Sequence, residues 1–122
     1  MIAIIDDDVA MREATGDLLK SIGYSTTSFA SAEEFLDSRE RHQMACIISD
    51  VRMSGMSGLA LQQTLVAEHC DVPVILVTAF PEEGMREKAL AAGVRAFLTK
   101  PFTQESLINC LGSALQSKSP DL

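Results

Sequence analysis

Five short apolar stretches punctuate the chain, and the segments between them carry apolar residues at helical spacing. Ile2 to Ile5 is continuously apolar, as a strand buried on both faces should be. Met11, Ala14 or Thr15, Leu18 and Ile22 then recur every three or four residues, predicting a helix that Gly23 ends. Tyr24 to Phe29 is more polar, which suits a strand at a sheet edge. Ser31 with Glu34 has the pattern of a capping box and opens a helix through Phe35 and Leu36. Ala45 to Ser49 is the third strand, Leu61 and Leu65 mark a helix running toward His69, and Val74 to Val77 is the fourth strand. Glu82 to Ala92 is rich in helix formers, interrupted by Gly84 near its start, and ends at Gly93. Ala96 to Thr99 is the fifth strand, after which Thr103 can cap a helix striped with Leu107, Ile108, Leu111, Ala114 and Leu115.

Strand and helix alternate five times, and several strands are unbroken apolar runs. That combination predicts an α/β fold, a parallel sheet covered by helices on both faces. Gly16 and Gly112 fall inside predicted helices, where close packing or simple tolerance explains them better than a hinge. A length of 122 residues suits one domain with one sizeable core. Lys118 to Leu122 contains Ser and Pro and reads as a frayed end or the start of a linker.

Composition removes several function classes. The chain is 47% hydrophobic and 22% charged, so disorder is not expected, and its apolar runs are far short of a membrane span. With no basic segment ahead of an apolar signal stretch, the reading is cytoplasmic. A formal charge of -7 without a Lys/Arg block would repel a phosphate backbone, which argues against direct nucleic-acid binding. Cys46, Cys70 and Cys110 fit neither a disulfide framework nor a zinc pattern and read as apolar thiols. His42 and His69 lack metal-like spacing and read as surface residues.

The chemistry lies where polar residues meet strand ends. Asp6, Asp7 and Asp8 follow the first strand, Asp50 the third, Thr78 the fourth and Lys100 the fifth. In a parallel sheet these positions share the carboxyl edge, where open α/β folds place their ligands. If the first and third strands are neighbours, Asp6 or Asp7 can face Asp50. Crowded carboxylates resist ionisation unless a cation is present, and magnesium accepts one or two carboxylates together with waters and phosphate oxygens. Lys100 would bring a positive charge to the other side of Asp50, and the Thr78 hydroxyl can donate to an incoming oxygen. An aspartate so placed can attack phosphorus and form an acyl phosphate. Each feature alone is commonplace, since an acidic strand end is often a solvated loop and a Lys-Pro pair a turn. Their coincidence at one edge is what points to phosphoryl chemistry.

The stretches IIDDD at Ile4 to Asp8, IISDVRMSGMSG at Ile47 to Gly58, VTA at Val77 to Ala79 and FLTKPF at Phe97 to Phe102 resemble, in order and separation, the response-regulator receiver domains of the CheY-like superfamily. The resemblance covers essentially the whole chain, 1–122, with 117–122 as a possible start of a linker to an output domain. The run DVRMSGMSG and the tripled aspartate look most similar to receivers of the nitrogen-fixation (FixJ-type) transcriptional regulators. It implies a flavodoxin-like (βα)5 three-layer sandwich with a parallel sheet of order 2-1-3-4-5. It further implies that Asp50 is the phosphoacceptor, and that Asp6, Asp7, Asp50 and the backbone carbonyl of Arg52 surround Mg2+, with Mn2+ as a substitute. Thr78 matches the switch hydroxyl, Lys100 the active-site lysine and Phe97 the aromatic that changes rotamer. The Lys100–Pro101 bond is expected to be cis. Two residues depart from the family pattern, Ser54 in place of proline and Phe80 in place of a small or polar residue. Both are expected to alter lifetime or kinase preference and not to abolish phosphorylation.

The implied function is a two-component phosphorelay receiver that takes a phosphoryl group from a sensor histidine kinase. It would then switch the surface of helix four, strand five and helix five. That surface would serve a phosphorylation-dependent homodimer, or an output such as transcription through a DNA-binding domain outside this chain. Slow self-dephosphorylation is expected in place of enzymatic turnover. A small phosphatase using Asp50 as nucleophile would need an enclosing cap segment, which the sequence lacks, and a purely structural interaction module would not need the carboxylates.

Overall fold

β1 (Ile2–Ile5) runs through the interior of a five-stranded sheet, parallel to β2 (Thr26–Phe29) on one side and to β3 (Cys46–Asp50) on the other. β4 (Val74–Thr78) and β5 (Ala96–Thr99) extend the sheet beyond β3, giving the order β2-β1-β3-β4-β5 with all pairs parallel. This computed structural model describes residues 1–116, so the expected linker at 117–122 lies outside the described residues.

Each strand presents alternate residues to opposite faces. Ala3, Ile5, Ile47, Val74, Leu76 and Phe97 form one core with Phe35, Leu61, Leu65 and Ala89, which come from α2 (Ala32–Asp37), α3 (Gly58–Ala67) and α4 (Met85–Ala91). Ile2, Ile4, Cys46, Ile48, Ile75 and Val77 form the other with Leu19 from α1 (Val9–Ser21) and Leu107, Leu111 and Ala114 from α5 (Gln104–Gln116). Helices cover both faces, which is why the inner strands read as unbroken apolar runs. The result is the flavodoxin-like (βα)5 three-layer sandwich. No helix among the described residues is long and apolar enough to cross a membrane.

Where local structure departs from the sequence pattern, a local cause is visible. In α1, Leu18 and Ile22 pack against the core as expected and Thr15, not the exposed Ala14, is half-buried, but the fully buried residue is Leu19, which the stripe did not include. β2 starts at Thr26, two residues later than expected. α4 starts at Met85 because Gly84 adopts a left-handed φ of 82°, so Glu82 to Gly84 form a turn and not a first helical turn. α2 stops at Asp37, and Ser38 caps a 3-10 turn over Arg39–Gln43 that has no apolar signature. The Ser31 cap forms, with Glu34 N donating to its Oγ at 3.0 Å, but the Glu34 carboxylate reaches back to Ala30 N and not to Ser31 N. Thr103 Oγ1 accepts from Ser106 N at 3.0 Å ahead of α5.

Candidate functional site

The parallel register brings the polar strand ends to one edge. Asp50 is the last residue of β3, paired with Val77, and Thr78 is the last residue of β4, paired with Thr99. Asp6 follows β1 and Lys100 follows β5, so the side chains of four strands converge above β1 and β3. Lys100 is also tied to β4 by its own N–H, which donates to Thr78 O at 2.8 Å.

Asp6, Asp7 and Asp50 each offer a carboxylate oxygen, and the three lie within 4.8 Å of one another. Lys100 Nζ stands 3.3 Å from Asp6 Oδ2 and 3.4 Å from Asp50 Oδ2. These three side chains are mostly out of solvent, at 14% exposure for Lys100, 9% for Asp6 and 13% for Asp50. Asp6 is further fixed by Asp8 N, which donates to its Oδ1 at 2.9 Å, and Arg12 Nη1 donates to its backbone oxygen at 2.6 Å. The Asp50 carboxyl titrates above the ordinary aspartate value. Burial is the main cause and the Asp6 charge adds to it, against the opposing pull of Lys100 and a backbone hydrogen bond from Arg52.

Three carboxylates facing one ammonium leave an excess of two negative charges when all are ionised. An all-oxygen donor set with that excess fits a hard divalent cation. The site therefore has the composition of a metal centre.

Thr78 is fully buried, and its Oγ1 accepts from Phe80 N at 3.1 Å. It lines a cleft of about 470 Å³ with Asp7, Asp50, Arg52 and Lys100. Phe80 stands at the mouth of that cleft, 69% exposed. The Arg52 guanidinium points out to an ion pair with Glu82. The Lys100–Pro101 peptide bond is cis. Phe97 does not line this cleft. It is buried on the α3/α4 side, beside Val51, Leu76, Met85 and Ala89, on the same sheet face as Thr78. The structure thus gathers Asp6, Asp7, Asp50, Arg52, Thr78 and Lys100, and sets Phe97 below them.

Several contacts that shape the site were not anticipated from the sequence. Asp8 stands outside the three-carboxylate group and caps α1, accepting from Met11 N at 3.2 Å. Glu33, in the first turn of α2, accepts from Met56 N at 2.9 Å and so holds the loop between β3 and α3. Asp7 Oδ2 accepts from Ser54 N at 3.0 Å in the same loop. Gly58 begins α3 so close to β3 that a Cβ there would lie 2.4 Å from Asp50 O. The glycines of the SGMSG run were the available signal for this close approach. Nothing local in the sequence marked Glu33 as the partner of a loop more than twenty residues away.

The family model described as the response regulator receiver domain matches residues 2–111. The chain is 40% identical over 116 residues to the response regulator protein TodT of Pseudomonas putida, covering 95% of this chain and 51% of that protein. It is 34% identical over 119 residues to the transcriptional regulatory protein FixJ of Bradyrhizobium diazoefficiens, covering 98% of this chain and 58% of that one. Among solved structures, the response regulator StyR matches with a TM-score of 0.87 at 36% identity, covering 95% of this chain and 59% of StyR. FixJ-N matches with a TM-score of 0.85 at 27% identity, covering 94% and 92%. The likeness therefore extends over TodT-type and FixJ-type regulators alike and is not specific to FixJ. The chain spans about half the length of the curated relatives it matches. With a family model spanning nearly all of it and these relatives sharing a third or more of its residues, the chain belongs to the response regulator receiver domain family.

Proposed function

We propose that Asp50 is the phosphoacceptor of a two-component relay and that a sensor histidine kinase is the donor. The observation that carries this reading is the Asp50 carboxylate at the end of β3, grouped with the Asp6 and Asp7 carboxylates and 3.4 Å from the Lys100 ammonium that it shares with Asp6. Receiver domains are signalling modules and not turnover enzymes, which fits a site open to a partner protein.

In the transfer, a carboxylate oxygen of Asp50 bonds to phosphorus as the phosphorus–nitrogen bond of a phosphohistidine breaks, and the departing imidazole takes a proton from solvent. Lys100 neutralises charge on the transferring oxygens, and the Thr78 hydroxyl can exchange its contact with Phe80 N for one of them. Asp6, Asp7, Asp50 and the Arg52 carbonyl would hold Mg2+, or Mn2+ in its place, which supplies charge neutralisation at the phosphoryl oxygens when bound.

Movement of Thr78 would free space on the sheet face that Phe97 shares, biasing the α4-β5-α5 surface toward a second packing. That surface would serve a homodimer or an output. We place the chain among regulators that include TodT and FixJ, as a receiver of that kind. Its output is transcription through a DNA-binding domain outside these residues, in the cytoplasm.

The test is to incubate the chain with magnesium and a small acyl phosphate donor and to measure intact mass. One phosphoryl group should be gained by the wild type and none by Asp50→Asn or by the wild type in chelator. Equal gain in Asp50→Asn would overturn the assignment.

A further inference from the structure

Two backbone N–H groups of the loop from Val51 to Ser57 donate to carboxylates from elsewhere in the chain. Met56 N reaches Glu33 Oε2, and Ser54 N reaches Asp7 Oδ2 at 3.0 Å. The second contact bears on the site because Asp7 is the least constrained of its three carboxylates. Asp6 is buried and held by Asp8 N and Lys100, and Asp50 is held by Lys100. Asp7 is solvent-exposed, and Ser54 N is the one hydrogen-bond donor to its carboxylate among the described residues. An exposed aspartate otherwise samples several rotamers, and fixing one costs entropy at the moment a ligand binds.

We propose that the backbone amide of Ser54 is a positioning group for Asp7. By holding Oδ2 it keeps the carboxylate converging with Asp6 and Asp50, so that affinity for a divalent cation depends on how the loop after Asp50 is seated. This rests on the reading of Asp7 as a metal ligand and deepens it. Hydrogen-bonded partners of metal-ligating groups orient them in this way. The contact needs an N–H at position 54, which every residue except proline supplies. The coupling is reciprocal, so cation binding should tighten the loop by as much as the loop favours the cation.

Two variants separate the amide from the side chain. Ser54→Pro removes the N–H, while Ser54→Ala keeps it and removes only the hydroxyl. Calorimetric titration with Mg2+ alone should show affinity lowered about tenfold in Ser54→Pro and changed by less than about twofold in Ser54→Ala. In metal-free protein, hydrogen exchange at the Ser54 amide should speed up by about tenfold in Asp7→Ala if this bond is its protection. That measurement decides the matter if melting shows that Ser54→Pro does not fold. Wild-type affinity in Ser54→Pro, an equal loss in Ser54→Ala, or amide exchange indifferent to Asp7→Ala would each overturn the proposal while leaving Asp7 a ligand. A wild-type chain that takes up no Mg2+ would overturn both.

Discussion

Lys100 Nζ lies 3.4 Å from Asp50 Oδ2, yet the Asp50 carboxyl still titrates above the ordinary aspartate range. An ammonium at this distance normally pulls a carboxyl down. Here the same ammonium is shared with Asp6 at 3.3 Å, and the loss of water around Asp50, with the Asp6 charge added, outweighs its pull. Lys100 compensates part of the acidic cluster, and the remainder sets how the site responds to pH and to cations.

The sign of the pH dependence follows. A carboxyl that binds its proton more tightly when folded costs no stability below its unfolded value near 3.8, and destabilises the fold as pH rises through its folded value. Asp50→Asn should therefore melt higher than wild type at pH 7 without metal. The difference should vanish by about pH 3. Magnesium should raise the melting temperature of the wild type more than that of Asp50→Asn. Thermal melts across pH, with and without the ion, check both parts.

Removing Lys100 should act the other way. Lys100→Ala leaves Asp6 and Asp50 facing each other without their shared cation, a loss of about 2 kcal/mol at neutral pH. Saturating magnesium should recover part of that loss. Chemical denaturation at both conditions measures it, and equal loss with and without magnesium would argue that the two cations do not share one electrostatic role.

Gly58 should prove intolerant of a single methyl group. Its Cβ would meet the backbone oxygen of Asp50 at 2.4 Å and Leu76 Cδ2 at 2.9 Å, and a backbone atom cannot step aside as a flexible side chain can. Gly58→Ala should cost about 2–3 kcal/mol by displacing α3 from the end of β3. Phosphoryl uptake should slow as well, because the displaced atom belongs to Asp50. Denaturation and mass-detected phosphorylation read the two effects separately.

Gly112 should behave in the opposite manner. No atom lies within 4 Å of where its Cβ would stand, and its φ is not positive, so Gly112→Ala should stabilise α5 by about 0.5–1 kcal/mol. A melting temperature unchanged or lowered would count against that account.

The residues that carry the chemistry were legible because topology, and not detailed packing, brings them together. Alternating strands and helices fixed a parallel sheet, and a parallel sheet puts Asp6, Asp50, Thr78 and Lys100 at one edge whatever the helices do in detail. Boundaries were less legible. The helix formers at Glu82 and Glu83 lost to the left-handed turn at Gly84, and in α1 the sheet buries Leu19 more deeply than the expected Leu18 and Ile22. Glu33 was invisible because its role depends on two loops meeting across the top of the sheet, which no local pattern records.

The run of three aspartates after β1 looks redundant on paper, but the fold assigns each a different job. Asp6 turns inward to the ammonium, Asp7 is pinned from the loop after Asp50, and Asp8 starts a helix. Deleting one of them would leave the string almost unchanged to the eye while moving every later carboxylate into its neighbour's post, exchanging a member of the carboxylate cluster for a helix cap. A library that scrambles this tract should therefore tolerate substitutions by position and reject changes of length outright.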